Sequence, residues 1–149
     1  MTNAYFVPTP AFIGALCDAS ARGVEVRILM PGLFHNKPIV QTASRHTWRR
    51  LLEGGVRLFE HQRTMVHSKV IAIDDTMLCV GSINFDPRSF ALNAECAAIA
   101  FDAILARAGA EQFDRDLQSS REVLAADLDR LSLLARMSSR AAYWFRAQL

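Results

Sequence analysis

The feature that most constrains the fold is a change in hydrophobic pattern near Asp102. Before this residue, apolar runs of strand length alternate with segments of helical periodicity, and after it the pattern is helical with few turn signals. Such alternation predicts parallel strands joined by helical crossovers, followed by an α-helical region. The predicted elements of the first part are a helix over 10–22, a strand over 24–30, a helix over 39–53 and a strand over 56–60.

Three further strands are predicted over 67–73, 77–82 and 93–101, without helices between them. Only residues 74–76 separate the first two strands, so we expect these two to form a hairpin. No internal repeat, flexible linker or charge run divides the chain. The sequence therefore predicts one folding unit, an α/β region with a helical tail.

Composition narrows the functional classes. Of the 149 residues, 51% are hydrophobic and 21% are charged, which excludes a disordered protein. No apolar run approaches the ~18 residues that span a bilayer, and no signal peptide is visible, so export is not expected. The net charge of +2 argues against a large nucleic-acid groove, although not against phosphate ligands. Cys17, Cys79 and Cys96 lie far apart among apolar neighbours, and we expect them to be reduced core residues.

A polar motif runs through the predicted hairpin. With the spacing HxK(x)4D(x)6GSxN, it consists of His67, Lys69, Asp74, Gly81, Ser82 and Asn84. Side chains two apart on a strand share a face, so His67 lies beside Lys69 on one strand. A register that sets His67 opposite Ser82 or Asn84 brings the polar groups together, whereas a register one residue off splits them. Asp74 has the opposite parity and is expected at the turn or on the other face, in a structural role.

An imidazole, an ammonium, a hydroxyl and a carboxamide on one face suit a phosphodiester. Lys69 would supply positive charge to the non-bridging oxygens, Asn84 would donate through its amide, and Gly81 would let the backbone approach closely. His67 can attack phosphorus as the neutral imidazole or protonate the leaving alkoxide as the imidazolium. This chemistry requires no metal, and we expect no cofactor.

The motif resembles the signature of the phospholipase D superfamily, and its surroundings are similar to the C-terminal half of bacterial cardiolipin synthases. The similarity covers about residues 4–118. It includes the segments 5–8, 22–24, 55–57, 86–90 and 93–95. The resemblance implies an α/β phospholipase D-like lobe over residues 1–119, with a mixed sheet flanked by helices on both faces. An amphipathic helical tail would follow over residues 120–149.

The resemblance also assigns roles to residues. The catalytic positions are His67, Lys69, Asp74 and Glu95, and the positions that bind the substrate phosphate are Lys69, Gly81, Ser82 and Asn84. In the family, the acid that matches Glu95 bonds to the catalytic imidazole, so Glu95 is expected to orient His67. A structural pair with Arg88 is the alternative, because a carboxylate on an apolar strand requires a partner.

Other interpretations stay open for single residues. Taken alone, His67 is typical of a core histidine and Ser82 of a turn hydroxyl. His35 and Lys37 follow a parallel strand, at the end where α/β folds bind ligands, but a solvated loop explains them equally well. We expect the two remaining histidines, His46 and His61, at the surface.

One motif is not a complete site in this family. Its members combine two motifs, with one histidine accepting the phosphoryl group and the other protonating the leaving alcohol. This chain carries one such motif. It is therefore expected to be the C-terminal half of a two-lobed enzyme, with His67 as general acid, or to form a homodimer in which His67 takes either role.

The leading expectation is phosphatidyl transfer of the cardiolipin synthase kind. Phosphatidylglycerol would be the substrate, a phosphohistidine the intermediate, and a second lobe with the same motif the partner. One alternative is a homodimeric phospholipase D-type phosphodiesterase or endonuclease, although the charge makes nucleic acid an unexpected partner. The other is a catalytically silent fragment that binds a membrane.

The tail from Leu124 onward repeats apolar residues at helical spacing, and beyond residue 130 it contains arginines but no acid. Tyr143, Trp144 and Phe145 among these arginines are typical of an interfacial helix on anionic lipid. Packing on the protein's own core explains the same stripe. We expect peripheral attachment at the cytoplasmic face of a membrane, with its anionic surface as a partner.

Overall fold

A seven-stranded mixed sheet organises residues 1–148, the part of the chain that the computed structural model describes. Its strands are β1 (Thr2–Asn3), β2 (Arg27–Pro31), β3 (Arg57–His61), β4 (Lys69–Ile73), β5 (Met77–Gly81), β6 (Ala97–Ala100) and β7 (Ser120–Val123). Across the sheet their order is β6-β5-β4-β1-β2-β3-β7. Strands β1, β2 and β3 run parallel, and every other neighbouring pair is antiparallel. The predicted parallel core and hairpin are both confirmed.

Six helices connect and cover these strands in residues 1–148. They are α1 (Pro10–Ala21), α2 (Pro38–Glu53), α3 (Pro87–Ala91), α4 (Ala103–Leu117), α5 (Ala125–Asp129) and α6 (Leu133–Trp144), and a 3-10 turn (Arg146–Gln148) follows α6. Local signals begin them: the Thr9 hydroxyl accepts from the backbone N–H of Phe12 before α1, and the Asp102 carboxylate accepts from two N–H groups at the start of α4. These caps satisfy donors that have no partner within the helix.

Helices pack on both faces of the sheet, as predicted. Along β2, Ile28 and Met30 point into a core formed with α1 and α2. Leu29, between them, points to the opposite face, where it packs with Phe59 and with Phe113 of α4. This alternation is the two-residue period of a strand that is buried on both sides.

The sheet is wider than the sequence pattern predicts. Strand β1 has two residues, too few for a periodic signal. The expectation of helix throughout the chain beyond Asp102 is wrong for Ser120–Val123, because these residues pair antiparallel with β3 as strand β7. A four-residue segment between two helices carries too little periodicity to separate strand from helix. The division of the chain between residues 119 and 120 stays a prediction.

Two side chains differ from prediction in burial. His61, expected at the surface, is buried on β3, with its Nδ1 3.4 Å from the Ser120 hydroxyl. Cys96, expected in the core, is exposed, because it immediately precedes the edge strand β6. The other two cysteines are partly buried, and all three are free thiols. His46 is exposed, as predicted.

The C-terminal helix α6 packs on α2. Ala142 and Tyr143 reach the core cluster that contains Val40, and the Tyr143 hydroxyl donates to the carbonyl of Pro8 at 3.0 Å. Core packing therefore accounts for one side of the apolar stripe in the tail. Within residues 1–148 the structure has no helix that combines the length and the apolar character needed to cross a bilayer.

Candidate active site

The polar motif gathers where β4 begins and β5 ends. The hairpin pairs Val70 with Val80, and continuing this register would set His67 opposite residue 83, the arrangement that splits the polar side chains between faces. The paired strands do not extend as far as His67, because β4 starts at Lys69 and β5 stops at Gly81. The expectation that strand pairing aligns the motif is therefore wrong. His67 and Asn84 therefore lie in the irregular segments 67–68 and 82–84, outside the paired strands.

Asn3 holds the second of these segments in place. It is completely buried on β1, and its side chain makes two hydrogen bonds with the backbone around Asn84. Its Nδ2 donates to the carbonyl of Ile83 at 3.3 Å, and the backbone N–H of Phe85 donates to its Oδ1 at 3.1 Å. A single buried amide thus positions the loop that carries Asn84. The spacing of the motif contains no signal for this contact.

His67 and Lys69 lie together at the start of β4. The Lys69 ammonium lies 3.1 Å from His67 Nδ1 and donates to the carbonyl of His67 at 2.8 Å. Partial burial lowers the pKa of His67 below its usual value, and the positive charges of Lys69 and Lys37 lower it further. Because an ordinary histidine titrates near 6.5, the imidazole of His67 is mostly neutral at pH 7. Burial also lowers the pKa of Lys69, against the opposing charge of Glu95.

A second group of polar side chains faces His67 from the carboxyl ends of β1 and β2. The ring of Tyr5 meets the His67 ring edge-on, with 5.6 Å between the centroids. The Tyr5 hydroxyl donates to Asn36 Oδ1 at 3.0 Å, and the Lys37 ammonium lies 4.6 Å from the centre of the Tyr5 ring. His35 is 5.7 Å from the same ring, and burial, together with nearby cations, lowers its pKa to about 4.

His35 and Lys37 both lie against the ring of Tyr5, which in turn meets the ring of His67. Lys37 is exposed, so the loop is solvated and also adjoins the candidate site. Sequence reasoning missed Tyr5 and Asn36 as site residues. The available signal was topological, because the carboxyl ends of parallel strands meet at one edge of the sheet and carry ligand sites there.

A polar cavity of about 340 Å³ opens beside this group. It is lined by Tyr5, Lys37, Val40, Asn84, Asp86, Arg88, Asn93 and Gln148. The Oδ1 atom of Asn84 is buried without a hydrogen-bond partner among residues 1–148. A larger groove of about 680 Å³ lies between the sheet and α4 and is lined by Asp74 of the motif. Neither cavity is lined by His67 or Lys69, whereas Asn84 and Tyr5, whose ring meets that of His67, line the smaller one. The smaller cavity, which joins two cations to the motif, is therefore the candidate substrate site.

Glu95 has partners other than the expected one. Its carboxylate accepts hydrogen bonds from the Ser82 hydroxyl and from Asn93 Nδ2, and the described residues show none from His67. The Ser82 hydrogen bond is the main reason that the pKa of Glu95 is lowered. Arg88, the alternative partner, donates instead to the carbonyl of Gln148 at 3.5 Å. The role of Glu95 in orienting His67 stays a prediction.

Ser82 and Gly81 join β5 to the segment before β6. The Ser82 hydroxyl also accepts from the backbone N–H of Cys96 at 3.0 Å. A Cβ at Gly81 would lie 2.5 Å from the Cys96 carbonyl and 2.8 Å from the Cα of Ala97. The close approach of Cys96 and Ala97 is therefore one structural reason for glycine at position 81. The expectation that Gly81 lets the backbone approach a ligand stays a prediction.

Asp74 lies in the turn between β4 and β5, where parity predicts it. It is exposed and adopts a φ of 48°, a left-handed conformation that aspartate tolerates better than most residues. Lys69 and Asp74 lie at opposite ends of β4. Asp74 therefore does not contact the residues around His67, and a catalytic role for it, as the resemblance implies, stays a prediction.

Comparison with known proteins bears directly on this site. The family model described as cardiolipin synthase, phospholipase D-like domain, matches residues 1–117. The chain belongs to this family. It is 39% identical over 107 residues to a cardiolipin synthase A of Buchnera aphidicola, covering 72% of this chain and 22% of that protein. It is 34% identical over 142 residues to the cardiolipin synthase A of Pseudomonas entomophila, covering 95% and 29%.

The phospholipase D-like chain thus spans between about a fifth and a third of the length of these curated relatives. Its fold is shared with solved structures. Nuc from Salmonella typhimurium, a phospholipase D family member, matches with a TM-score of 0.72 and 24% identity, over 84% of this chain and 80% of that chain. A phosphatidylserine synthase of Haemophilus influenzae matches with a TM-score of 0.74 and 16% identity, over 99% and 40%.

Proposed function

We propose that this chain supplies one half-site of an enzyme that transfers phosphatidyl groups between phospholipids in the manner of a cardiolipin synthase. One observation carries the proposal: the Lys69 ammonium lies 3.1 Å from Nδ1 of the mostly neutral His67 imidazole, on which the positive charge of Lys37 also acts. The ring of Tyr5, which meets the His67 ring, lines the polar cavity together with Lys37. Cations fixed in this way stabilise the negative charge that develops on a phosphodiester during transfer. The family membership and the cardiolipin synthase relatives support the same reaction class.

The proposed reaction has two displacements. A histidine nitrogen attacks the phosphorus of phosphatidylglycerol, the bond from phosphorus to the glycerol oxygen breaks, and a second imidazolium donates its proton to the departing oxygen. The hydroxyl of another phosphatidylglycerol then loses its proton to that second imidazole and attacks the phosphohistidine. Breaking of the phosphorus–nitrogen bond releases cardiolipin and restores both histidines.

The lowered pKa of His67 bears on which step it performs. The neutral imidazole attacks phosphorus, whereas a general acid must first bind a proton. The lowered pKa favours the neutral form of His67, whereas the match to the second half implies the general-acid role. Acid quenching with phosphatidylglycerol labelled in its phosphate would decide: label retained on this chain indicates the nucleophile, and turnover without retained label indicates the general acid.

A second lobe must supply the other histidine. The segment 90–101, which carries Glu95 and the edge strand β6, exposes four large apolar side chains: Phe90, Leu92, Ile99 and Phe101. Exposed apolar side chains concentrated beside a site are typical of a surface that another protein unit covers. We assign this segment to the contact with the second lobe, which an adjoining part of a longer chain or a second copy would provide.

The test uses purified chain with phosphatidylglycerol vesicles in a neutral buffer. Cardiolipin and free glycerol should appear in equal amounts, and His67→Ala should abolish both products. His46→Ala is the matched control, because His46 is an exposed histidine on α2 outside the cavity. Light scattering on the same sample reports whether a second copy is present. Absence of products from a confirmed dimer, under conditions in which a two-lobed relative works, would overturn the proposal.

A homodimeric phosphodiesterase is the second candidate function. The observation that favours it is the shared fold, because this chain matches the solved Nuc chain, a phospholipase D family member, with a TM-score of 0.72. This candidate predicts a stable dimer that releases p-nitrophenol from the water-soluble phosphodiester bis(p-nitrophenyl) phosphate. It should form phosphatidic acid but no cardiolipin from phosphatidylglycerol.

We place either enzyme peripherally, at the cytoplasmic face of a membrane.

A further inference from the structure

The C-terminal helix α6 has an apolar face that residues 1–148 leave exposed. Its inner side packs on α2 through Ala142 and Tyr143. Its outer side carries Leu133, Leu134, Met137 and Trp144, with Phe145 immediately after the helix, and these five side chains are 64–79% exposed. At 100° per residue they fall within an arc of about 120°. We refer to these five residues as the α6 face.

A second exposed apolar segment lies at the same end of the helix pair as Trp144. The residues that lead into α2 expose Leu33, Phe34 and Ile39. The next residue, Val40, lines the polar cavity together with Gln148, which follows α6 by one turn. Two segments more than 90 residues apart in sequence thus place exposed apolar side chains near one opening.

That opening is the candidate substrate cavity. Lys37 and Gln148 both line it, and Arg88, another lining residue, donates to the carbonyl of Gln148 in the tail. The cavity itself is polar and carries cations, whereas the chain segments that adjoin Lys37 and Gln148 in sequence expose apolar side chains. A phospholipid is complementary to this arrangement, because its anionic headgroup is joined to apolar acyl chains.

The charged side chains at the end of the tail are all positive. From Arg130 to the end of the sequence there are four arginines and no aspartate or glutamate. Arg136 and Arg146 donate to backbone carbonyls, whereas Arg140 is exposed and, at 100° per residue, lies about 20° from Leu133 of the α6 face. An anionic membrane attracts each arginine that lies close to it. Aromatic and aliphatic side chains beside arginines are the composition that interfacial helices use.

We propose that the α6 face docks on the surface of a bilayer containing anionic lipid, and that the segment 33–39 enters the same interface. Docking in this orientation sets the opening of the cavity at the depth of the lipid headgroups. The inference rests on the proposed function, because it gives the same site its membrane partner. A second copy of this chain is the competing occupant, and the experiment separates the two.

Tryptophan fluorescence supplies a site-specific readout. The chain contains two tryptophans: Trp48 is 3% exposed in the core, and Trp144 is 75% exposed on the α6 face. Vesicles of phosphatidylglycerol and phosphatidylcholine should shift the emission to shorter wavelength, and lipids brominated on the acyl chains should quench it. In Trp144→Phe, which retains only the buried Trp48, both effects should disappear while co-sedimentation with vesicles continues.

The binding variant is Leu133→Ser combined with Met137→Ser, which should weaken vesicle binding at least tenfold. The matched control is Ile104→Ser combined with Leu105→Ser, which removes two exposed apolar side chains of α4, outside both the α6 face and the segment 90–101. The control should bind vesicles like the unchanged protein. Arg140→Gln should reduce the preference for anionic over purely phosphatidylcholine vesicles.

Three outcomes overturn the inference. One is absence of co-sedimentation with anionic vesicles, and another is equal loss of binding in the control variant. The third is a fluorescence shift that depends on protein concentration without vesicles and accompanies a doubled mass, because a second copy then covers the α6 face. None of these measurements requires turnover, so the docking is tested even if the chain proves inactive.

Turnover separates the docking from the proposed chemistry. A short-chain phosphatidylglycerol, used below the concentration at which it forms micelles, presents the substrate without a surface. The Leu133 and Met137 variant should process this soluble substrate at the unchanged rate and lose at least tenfold on vesicles. Loss of both activities in this variant contradicts the docking role, whereas inactivity of the unchanged protein on both substrates contradicts the proposed function alone.

Discussion

Replacement of Asn3 by alanine should destabilise the chain and loosen the loop that carries Asn84. Alanine leaves the carbonyl of Ile83 and the backbone N–H of Phe85 without their side-chain partners, at a position that is completely buried. A buried polar group without a partner costs about 1–3 kcal/mol, so the two together should lower the free energy of unfolding by about 2–6 kcal/mol. This is a large part of the total stability of a domain, about 5–15 kcal/mol.

Urea unfolding, followed by circular dichroism, measures the loss in stability. For a domain of this size, a loss of 3 kcal/mol corresponds to a fall in Tm of roughly 6–12 °C. Hydrogen exchange at the Phe85 amide provides the local readout, because this N–H should exchange faster once Oδ1 of Asn3 is gone. Asn36→Ala is the control: Asn36 is exposed, so water replaces its bond to Tyr5 and the cost should stay below about 1 kcal/mol. An Asn3 variant within about 0.5 kcal/mol of the unchanged protein, with normal exchange at Phe85, would refute this reasoning.

Three other predictions address the site. Gly81→Ala should lower the free energy of unfolding by about 1–3 kcal/mol, measured in urea, because its Cβ would push against the backbone before β6; an unchanged midpoint would contradict this. Lys37→Gln should raise the pKa of His67, because it removes a like charge. The midpoint of the NMR titration of the His67 ring should then move to higher pH, and so should any loss of nucleophilic activity on acidification. An unchanged midpoint would contradict this prediction. Ser82→Ala should raise the pKa of Glu95, since the Ser82 hydroxyl is the main group that lowers it. Carbon-detected NMR of the Glu95 carboxylate measures this pKa, and a lower or unchanged pKa would contradict the reasoning.

Most helices and the central strands could be predicted because their signals are local. Thr9 and Asp102 cap the helices that follow them, and the β4–β5 turn lies within the three residues that separate the two strands. Strand β1 and strand β7 escaped prediction for the opposite reason. Each consists of four residues or fewer, and each is stabilised by hydrogen bonds to strands more than 25 residues away.

The candidate site was predictable only in part. The pair of His67 and Lys69 follows from their spacing, and their contact is present. The partners of Glu95 were not predictable, because Ser82 and Asn93 meet it in segments that lie outside the strands and do not follow strand parity. Burial was also misjudged for Cys96, since an apolar neighbourhood in sequence does not reveal that the adjoining strand lies at the edge of the sheet.

The amino-acid sequence by itself determined the order of most helices and central strands, the family and the chemical groups available to a phosphodiester. These are properties of residue type and short spacing, which local periodicity and side-chain chemistry express directly. Only the tertiary structure decided that Tyr5, Lys37 and His67 share one site, that Asn3 holds the Asn84 loop, and that one side of α6 is left uncovered. The physical reason is distance along the chain: such contacts join segments about 30 to more than 100 residues apart, and packing rather than spacing brings them together.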